Sequence, residues 1–292
     1  MRLPRLVSGL GAALAVVGAV SAQEWRTAFS ATWAENLSRT SFAPDRQNAA
    51  VYDGAVDAVW HRQLAPNWLA QLQGEAGFEQ VPVFPGLDGI HLGARLDVRR
   101  KFGLGPFAPA LDVWGQAARY DLHERDRSAW RVDGGLSLSQ RLTETWRASV
   151  SGQWNEDYAR GHIFDIVNRR ISLETTWQAL ERIQLSAGAS RLWGQLTANA
   201  NEFVYYSALG GGFGPKVAHY YGTIPWAEST AFGDDWVAYR IDCRADLCWL
   251  GASIALGENT SLSPRYESAR VVNRADVTYR SAFWSLSLVH RF

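Results

Sequence analysis

The chain has 292 residues, no formal net charge and very little lysine, so arginine carries almost all of its positive charge. Such a balance offers no electrostatic footprint for nucleic acid, and no nucleic-acid partner is expected. Fourteen Trp, ten Tyr and twelve Phe beside 26 Gly direct attention to β structure at a lipid–water boundary.

The first element is an export signal. Arg2 and Arg5 precede an uncharged stretch from Leu6 to Val20, and Val20-Ser21-Ala22 supplies small residues for cleavage. Residues 1–22 are therefore expected to be removed, leaving 23–292 as one domain. The apolar part of the signal is shorter than the ~20 residues a spanning helix needs, and no later stretch approaches that length without charges. A helical membrane protein is excluded.

From there on the dominant signal is alternation with period 2. Ile90, Leu92, Ala94, Leu96 and Val98 alternate with His91, Gly93, Arg95, Asp97 and Arg99, so one face is apolar and the other charged. Trp130 to Ser139 and Trp146 to Asn155 repeat the pattern. Taken along the chain, it predicts strands at 24–35, 50–62, 67–79, 89–102, 109–121, 129–141, 145–156, 169–178, 182–194, 248–257, 260–271 and 276–292. Short turns such as Leu64-Ala65-Pro66 and Leu142-Thr143-Glu144 alternate with longer polar connections. The expected fold class is all-β, a transmembrane antiparallel up-and-down barrel of about twelve strands with both termini on the periplasmic side.

Aromatic placement separates this reading from a soluble sandwich. Trp25 and Trp33, Tyr52 and Trp60, Trp68 and Phe78, and Trp146 and Trp154 sit near the two ends of apolar strand faces. Residues eight to ten apart on a tilted strand are separated by roughly 20–25 Å of height, the thickness of an outer-membrane hydrocarbon layer. A soluble core gives no reason for that sorting.

The last strand adds a resemblance. Ala282, Trp284, Leu286, Leu288, His290 and Phe292 share one face and end on a terminal Phe, which resembles the assembly signal of bacterial outer-membrane β-barrel proteins. The resemblance implies an outer-membrane location, recognition by the barrel-assembly machinery, and contact with outer-membrane lipid and lipopolysaccharide. His290 departs from the aromatic or aliphatic residue usual at that place.

On the polar faces, seven basic and nine acidic residues are expected to point into the lumen, among them Arg95, Asp97, Arg99, Asp112, Arg131, Asp133, Arg147, Arg170 and Glu174. Each needs a partner or water in a low-dielectric interior. Two outcomes stay open: a cross-braced, plugged barrel, or a narrow channel for small solutes with weak selectivity.

The longest connection is expected at about 195–247, a fifth outer loop rich in aromatics that either constricts the mouth or stands above it as a ligand platform. Within it, Trp236 to Trp249 is expected to form a hairpin closed by a disulfide between Cys243 and Cys248, as an exported pair five residues apart permits. The run Gly210-Gly211-Gly212-Phe213-Gly214 lacks the Lys-Ser/Thr of a phosphate loop. No cofactor or metal is expected. Catalysis is the minor alternative: His91, His123, His162 and His219 fall at the expected outer end beside carboxylates, and a His-carboxylate site at the rim would suit a hydrolase. A receptor or adhesin acting through the long loop is the third reading.

Overall fold

A computed structural model describes residues 24–201, 225–274 and 276–292. The expected signal segment, the aromatic run from Phe203 to Tyr221, the glycine run and His219 lie outside the described residues.

The first half of the wall comprises β1 (Glu24–Ala34), β2 (Ala49–Ala65), β3 (Trp68–Gln80), β4 (Gly89–Lys101), β5 (Ala110–Leu122) and β6 (Ala129–Arg141). It continues with β7 (Trp146–Ala159), β8 (Ile166–Leu180) and β9 (Ile183–Asn201). A short β10 (Trp226–Glu228) precedes β11 (Trp236–Ala255), β12 (Thr260–Asn273) and β13 (Thr278–Arg291). Each strand pairs antiparallel with its neighbour in sequence, except that β9 pairs with β11, and β13 pairs back onto β1 from Arg26–Arg291 to Ala34–Phe283. Closure gives twelve wall strands, with β10 as an addition to β11. Backbone polar groups of the wall meet inside the sheet, as hydrocarbon surroundings demand.

The alternation places Trp25, Phe29 and Trp33, then Ile90, Leu92 and Leu96, then Trp284, Leu286 and Leu288 on an exposed apolar exterior. Trp33 opposes Trp284 on β13, and Trp146 stacks on Trp177 with ring centroids 5.6 Å apart. Rings thus gather in two belts, near the long loops and near the short turns. His290, unusual in its place, accepts no strain there: it hydrogen-bonds the Thr260 hydroxyl at 2.8 Å and meets Phe292 edge to face.

Among the described residues, the segment expected to be a loop at 195–247 is largely strand. β9 runs on to Asn201 and β11 starts at Trp236, and the two remain paired from Ile183–Ile254 up to Asn201–Trp236. Their outer partners stop earlier. β8 leaves β9 at Gly194, and β12 meets β11 only from Cys243 onward. Above those residues a free ribbon leaves the wall, and β10 joins its β11 edge, pairing Trp226 with Tyr239 and Glu228 with Val237. Gly194 lies at the departure point with φ +137°, where a Cβ would collide with the Val167 carbonyl. Only glycine tolerates that conformation without strain.

The expected disulfide is wrong for the same reason. Cys243 and Cys248 lie on one continuous strand, so five residues put them about 16 Å apart on opposite faces, well beyond the ~7 Å limit of a bridge. Cys243 is buried inward, Cys248 is exposed outward, and both are free. No hairpin occurs within Trp236 to Trp249.

Candidate functional site

The inward face carries paired charges. On β4 the Arg95 guanidinium donates twice to Asp97, at 2.8 Å each, and Arg99 donates to both oxygens of Asp112 on β5. Arg131 of β6 donates to Asp157 of β7 at 3.1 Å, and Asn155 bridges Asp133 and Asp157. Across the barrel, Arg147 reaches the Ser139 hydroxyl, Arg170 the Ser190 hydroxyl at 2.8 Å, and Arg265 donates to Glu267. The forked guanidinium suits such carboxylate pairs. These groups are not sealed: the side chains of Arg99, Arg265 and Arg131 are 46%, 42% and 39% exposed while facing away from the apolar exterior. Pairs this open contribute little stability each, of order 1 kcal/mol or less, and mainly hold the guanidinium groups in place.

Three luminal rings escape a reading that assigns aromatics to the exterior. Trp114 has the parity of Asp112, and Arg95 stacks over it at 4.3 Å. Tyr120 lies between Arg131, 4.2 Å from its ring, and His91, whose ring is 5.1 Å away. Trp249 sits beneath Arg170 at 5.6 Å and Arg265 at 4.9 Å, and its indole N–H donates to Glu174 at 3.3 Å. A cation this open to water gains about 0.5–1 kcal/mol over a ring. Glycines on adjacent strands make the room. A Cβ on Gly135 would come 2.9 Å from the Trp114 ring, and one on Gly188 would collide with Trp249. The legible signal was the parity of each ring, together with a glycine directly across the ladder from Trp114 and from Trp249.

The rim histidines do not come together. His91 lies in the lumen, 13% exposed, with Nε2 2.7 Å from Glu75 on β3. The His162 side chain is 97% exposed, with its imidazole beside Asp165 of its own loop. His123 stands exposed after β5, its backbone N–H donating to Asp88. Among the described residues no group of three His, Cys, Asp or Glu could hold a metal.

The mouth is covered by the ribbon. On the free edge of β9, Asn199 N–H donates to the Ser38 carbonyl at 2.8 Å and Asn201 N–H to the Asp45 carboxylate, so the β1–β2 loop occupies the edge that β8 vacated. Arg240 donates to the carbonyls of His162 and Asp165 in the β7–β8 loop. From the β5–β6 loop, Arg127 bonds Glu124, the Asn199 side chain at 2.6 Å and the Ser229 hydroxyl, with its guanidinium 4.4 Å over Phe164. Burial lowers the pKa of Arg127 and Glu124 opposes the shift. Phe84 of the β3–β4 loop packs on Phe232, which packs on Trp236. A ribbon held by loops from β1–β2, β3–β4, β5–β6 and β7–β8 must lie across the barrel opening.

No family model matches the chain, and no curated protein matches it in sequence. Among solved structures it is similar to an outer-membrane channel from Pseudomonas putida F1, with TM-score 0.57 and 11% identity over 94% of this chain and 97% of that one. The NanC porin, at TM-score 0.45 and 5% identity over 90% and 98% of the two chains, is a weaker likeness. So is the outer-membrane phospholipase A of Escherichia coli, at 0.44 and 10% over 91% and 92%. The first likeness concerns the fold, and the closed wall, lipid-facing apolar belt and paired aromatic girdles agree with it. The chain has the closed-barrel fold of bacterial outer-membrane channels.

Proposed function

We propose that the protein is a narrow channel for small polar solutes whose outer mouth is gated by the β9–β11 ribbon. The observation that carries this reading is the inward face, where water-accessible arginines alternate with carboxylates and stack on Trp114, Tyr120 and Trp249. Opposite charges at similar heights leave no ring of one sign, so selectivity between cations and anions should be weak. The stacked guanidinium groups supply donors over flat apolar surfaces, a lining suited to solutes with hydroxyl or carboxylate groups.

Planar-bilayer recordings test the proposal. Wild-type protein should give small, weakly selective steps, and replacing residues 197–238 by a short turn should raise the open fraction or step size. Electrical silence both with and without the ribbon would overturn it and leave a cross-braced barrel.

A further inference from the structure

We propose that the lumen is bipolar along its axis, acidic towards the outer end and basic at the periplasmic end, and that it therefore passes ions better in one direction than in the other. This rests on the reading of the protein as a channel.

Opposite charges that meet at one height cancel, as Arg95 does with Asp97, Arg99 with Asp112, Arg131 with Asp157 and Arg265 with Glu267. The luminal charges left over are sorted by height. Towards the outer end, β2 and β3 set carboxylates directly opposite one another, Asp53 against Glu79 and, below them, Asp57 against Glu75. Ser30 donates to Asp53 at 2.8 Å, and Asn155 donates to Asp133 on β6 at 2.6 Å, both without bringing charge. Glu79 makes no ion pair among the described residues, and one carboxylate oxygen of Asp57 is buried with no hydrogen-bond partner. The bases left to set against these carboxylates are fewer. They are His91 beside Glu75, Arg170 on the Ser190 hydroxyl, and Arg39 in the β1–β2 loop above, which points to the Thr197 carbonyl.

At the periplasmic end the order reverses. Arg141 on β6 stands directly opposite Arg147 on β7, and Arg26 on β1 directly opposite Arg291 on β13. Glu24 is the carboxylate shared by the second pair. Arg147 donates to the Ser139 hydroxyl at 3.2 Å. Neither it, nor Arg141, nor Lys101 at the foot of β4 makes an ion pair among the described residues, and Glu144 in the β6–β7 turn pairs with none of them.

Directly opposed like charges on a sheet are unfavourable, and mobile counterions relieve them here. Cations gather at the outer end and anions at the periplasmic end, because low-dielectric walls focus each field into the lumen. From Trp68 at the foot of β3 to Glu79 near its top is about 36 Å along the strand and about 28 Å in height. The Debye length in 0.1 M salt is about 10 Å, so the two zones act separately. A voltage that makes the outer side positive drives cations inward from the acidic zone and anions outward from the basic one. Both meet in the middle, and conductance rises. The opposite voltage draws them apart and empties the middle. Since the zones nearly balance, this asymmetry coexists with weak overall selectivity.

Open single-channel currents of the full-length protein at equal and opposite voltages test this, with insertion direction assigned by one-sided proteolysis of the long outer loops. If the wild type stays closed, the ribbon-shortened variant is measured in its place. In about 0.1 M KCl the current should be at least about 1.5-fold larger with the outer side positive, and in about 1 M KCl, where the Debye length falls to about 3 Å, the ratio should approach one. Arg141→Gln with Arg147→Gln should abolish the asymmetry and shift the reversal potential towards cations, whereas Asp53→Asn with Glu79→Gln should abolish it and shift the reversal potential towards anions. A conducting protein with equal currents in 0.1 M salt would overturn the bipolar lumen and leave the channel reading intact, and that comparison decides even if neither double variant folds. Asymmetry of the opposite sign, or asymmetry undiminished at 1 M, would also overturn it. Electrical silence with and without the ribbon would remove the channel reading and this one together.

Discussion

Arg127, in the loop between β5 and β6, donates to the side-chain oxygen of Asn199 on β9 at 2.6 Å, joining two elements that three intervening wall strands keep apart. The contact exists because the ribbon leaves the wall at Gly194 and crosses the opening. Arg127 also holds Glu124, and their side chains are only 13% and 8% exposed.

Replacing Arg127 by Ala leaves Glu124 buried without its cation. Breaking one side of such a pair costs about 3–5 kcal/mol, and here the loss falls on the docking of the ribbon and not on the closed wall. Hydrogen exchange at Thr197 to Asn201 should accelerate while that of β4 to β6 stays unchanged. Equal protection in the variant would show that the ribbon is held by its apolar contacts alone.

Burial raises the Asp45 pKa, and the N–H of Asn201 only partly opposes this. A raised carboxylate pKa means that the folded loop binds the proton more tightly than the unfolded chain. The associated stability is complete below the unfolded value of about 3.9 and is lost as pH rises through the folded value. Docking of the β1–β2 loop on β9 should therefore tighten on acidification from neutral pH. Asp45→Asn should protect the loop at pH 7 and remove the pH dependence, as measured by exchange rates corrected for intrinsic chemistry or by proteolysis with an acid-tolerant enzyme.

Cys243 and Cys248 should both react with a thiol reagent once the protein is denatured without reductant, giving two labels per chain. A bridge between them would give none. Ser substitution at Cys248, exposed on the outer face, should leave the unfolding midpoint within about 0.5 kcal/mol of wild type.

Gly188→Val should be destabilising by about 1–3 kcal/mol, because its side chain enters the space of the Trp249 indole. Adding Trp249→Ala should recover part of the loss, and a double-mutant cycle in urea unfolding measures how much. Additive losses would mean that the indole is free to move aside.

Deletion of Phe292 tests the C-terminal strand. Its N–H donates to the Trp25 carbonyl at 2.9 Å at the seam where β13 meets β1, and its ring is exposed outward. Lower outer-membrane abundance, with degradation products in the periplasm, is expected if this strand is the element that the assembly machinery reads. Normal abundance of the folded deletion would remove that role.

The wall was legible in the chain because one physical constraint, lipid on one side and water on the other, writes period 2 into each strand that crosses the bilayer. Ile90 to Arg99 shows this in ten residues, and the placement of Trp25, Trp33 and Trp146 marks the two boundaries. The constraint ends where the strands leave the membrane. In β11 the pattern continues from Arg240 to Leu247 with its faces exchanged: Ile241, Cys243 and Ala245 turn inward to a buried cluster with Leu196, Val271 and Tyr279, while Asp242, Arg244 and Asp246 face out. Read with lipid outside, that stretch looks like a loop. Which loops would meet it was equally undetermined, since Arg127, Asn199 and Ser38 are far apart in sequence and become neighbours only because the barrel closes. The luminal pairing had the same limit: parity alone indicates which side Arg131 and Trp249 take, but strand register decides that one lies on Tyr120 beside Asp157 and the other between Arg170 and Arg265.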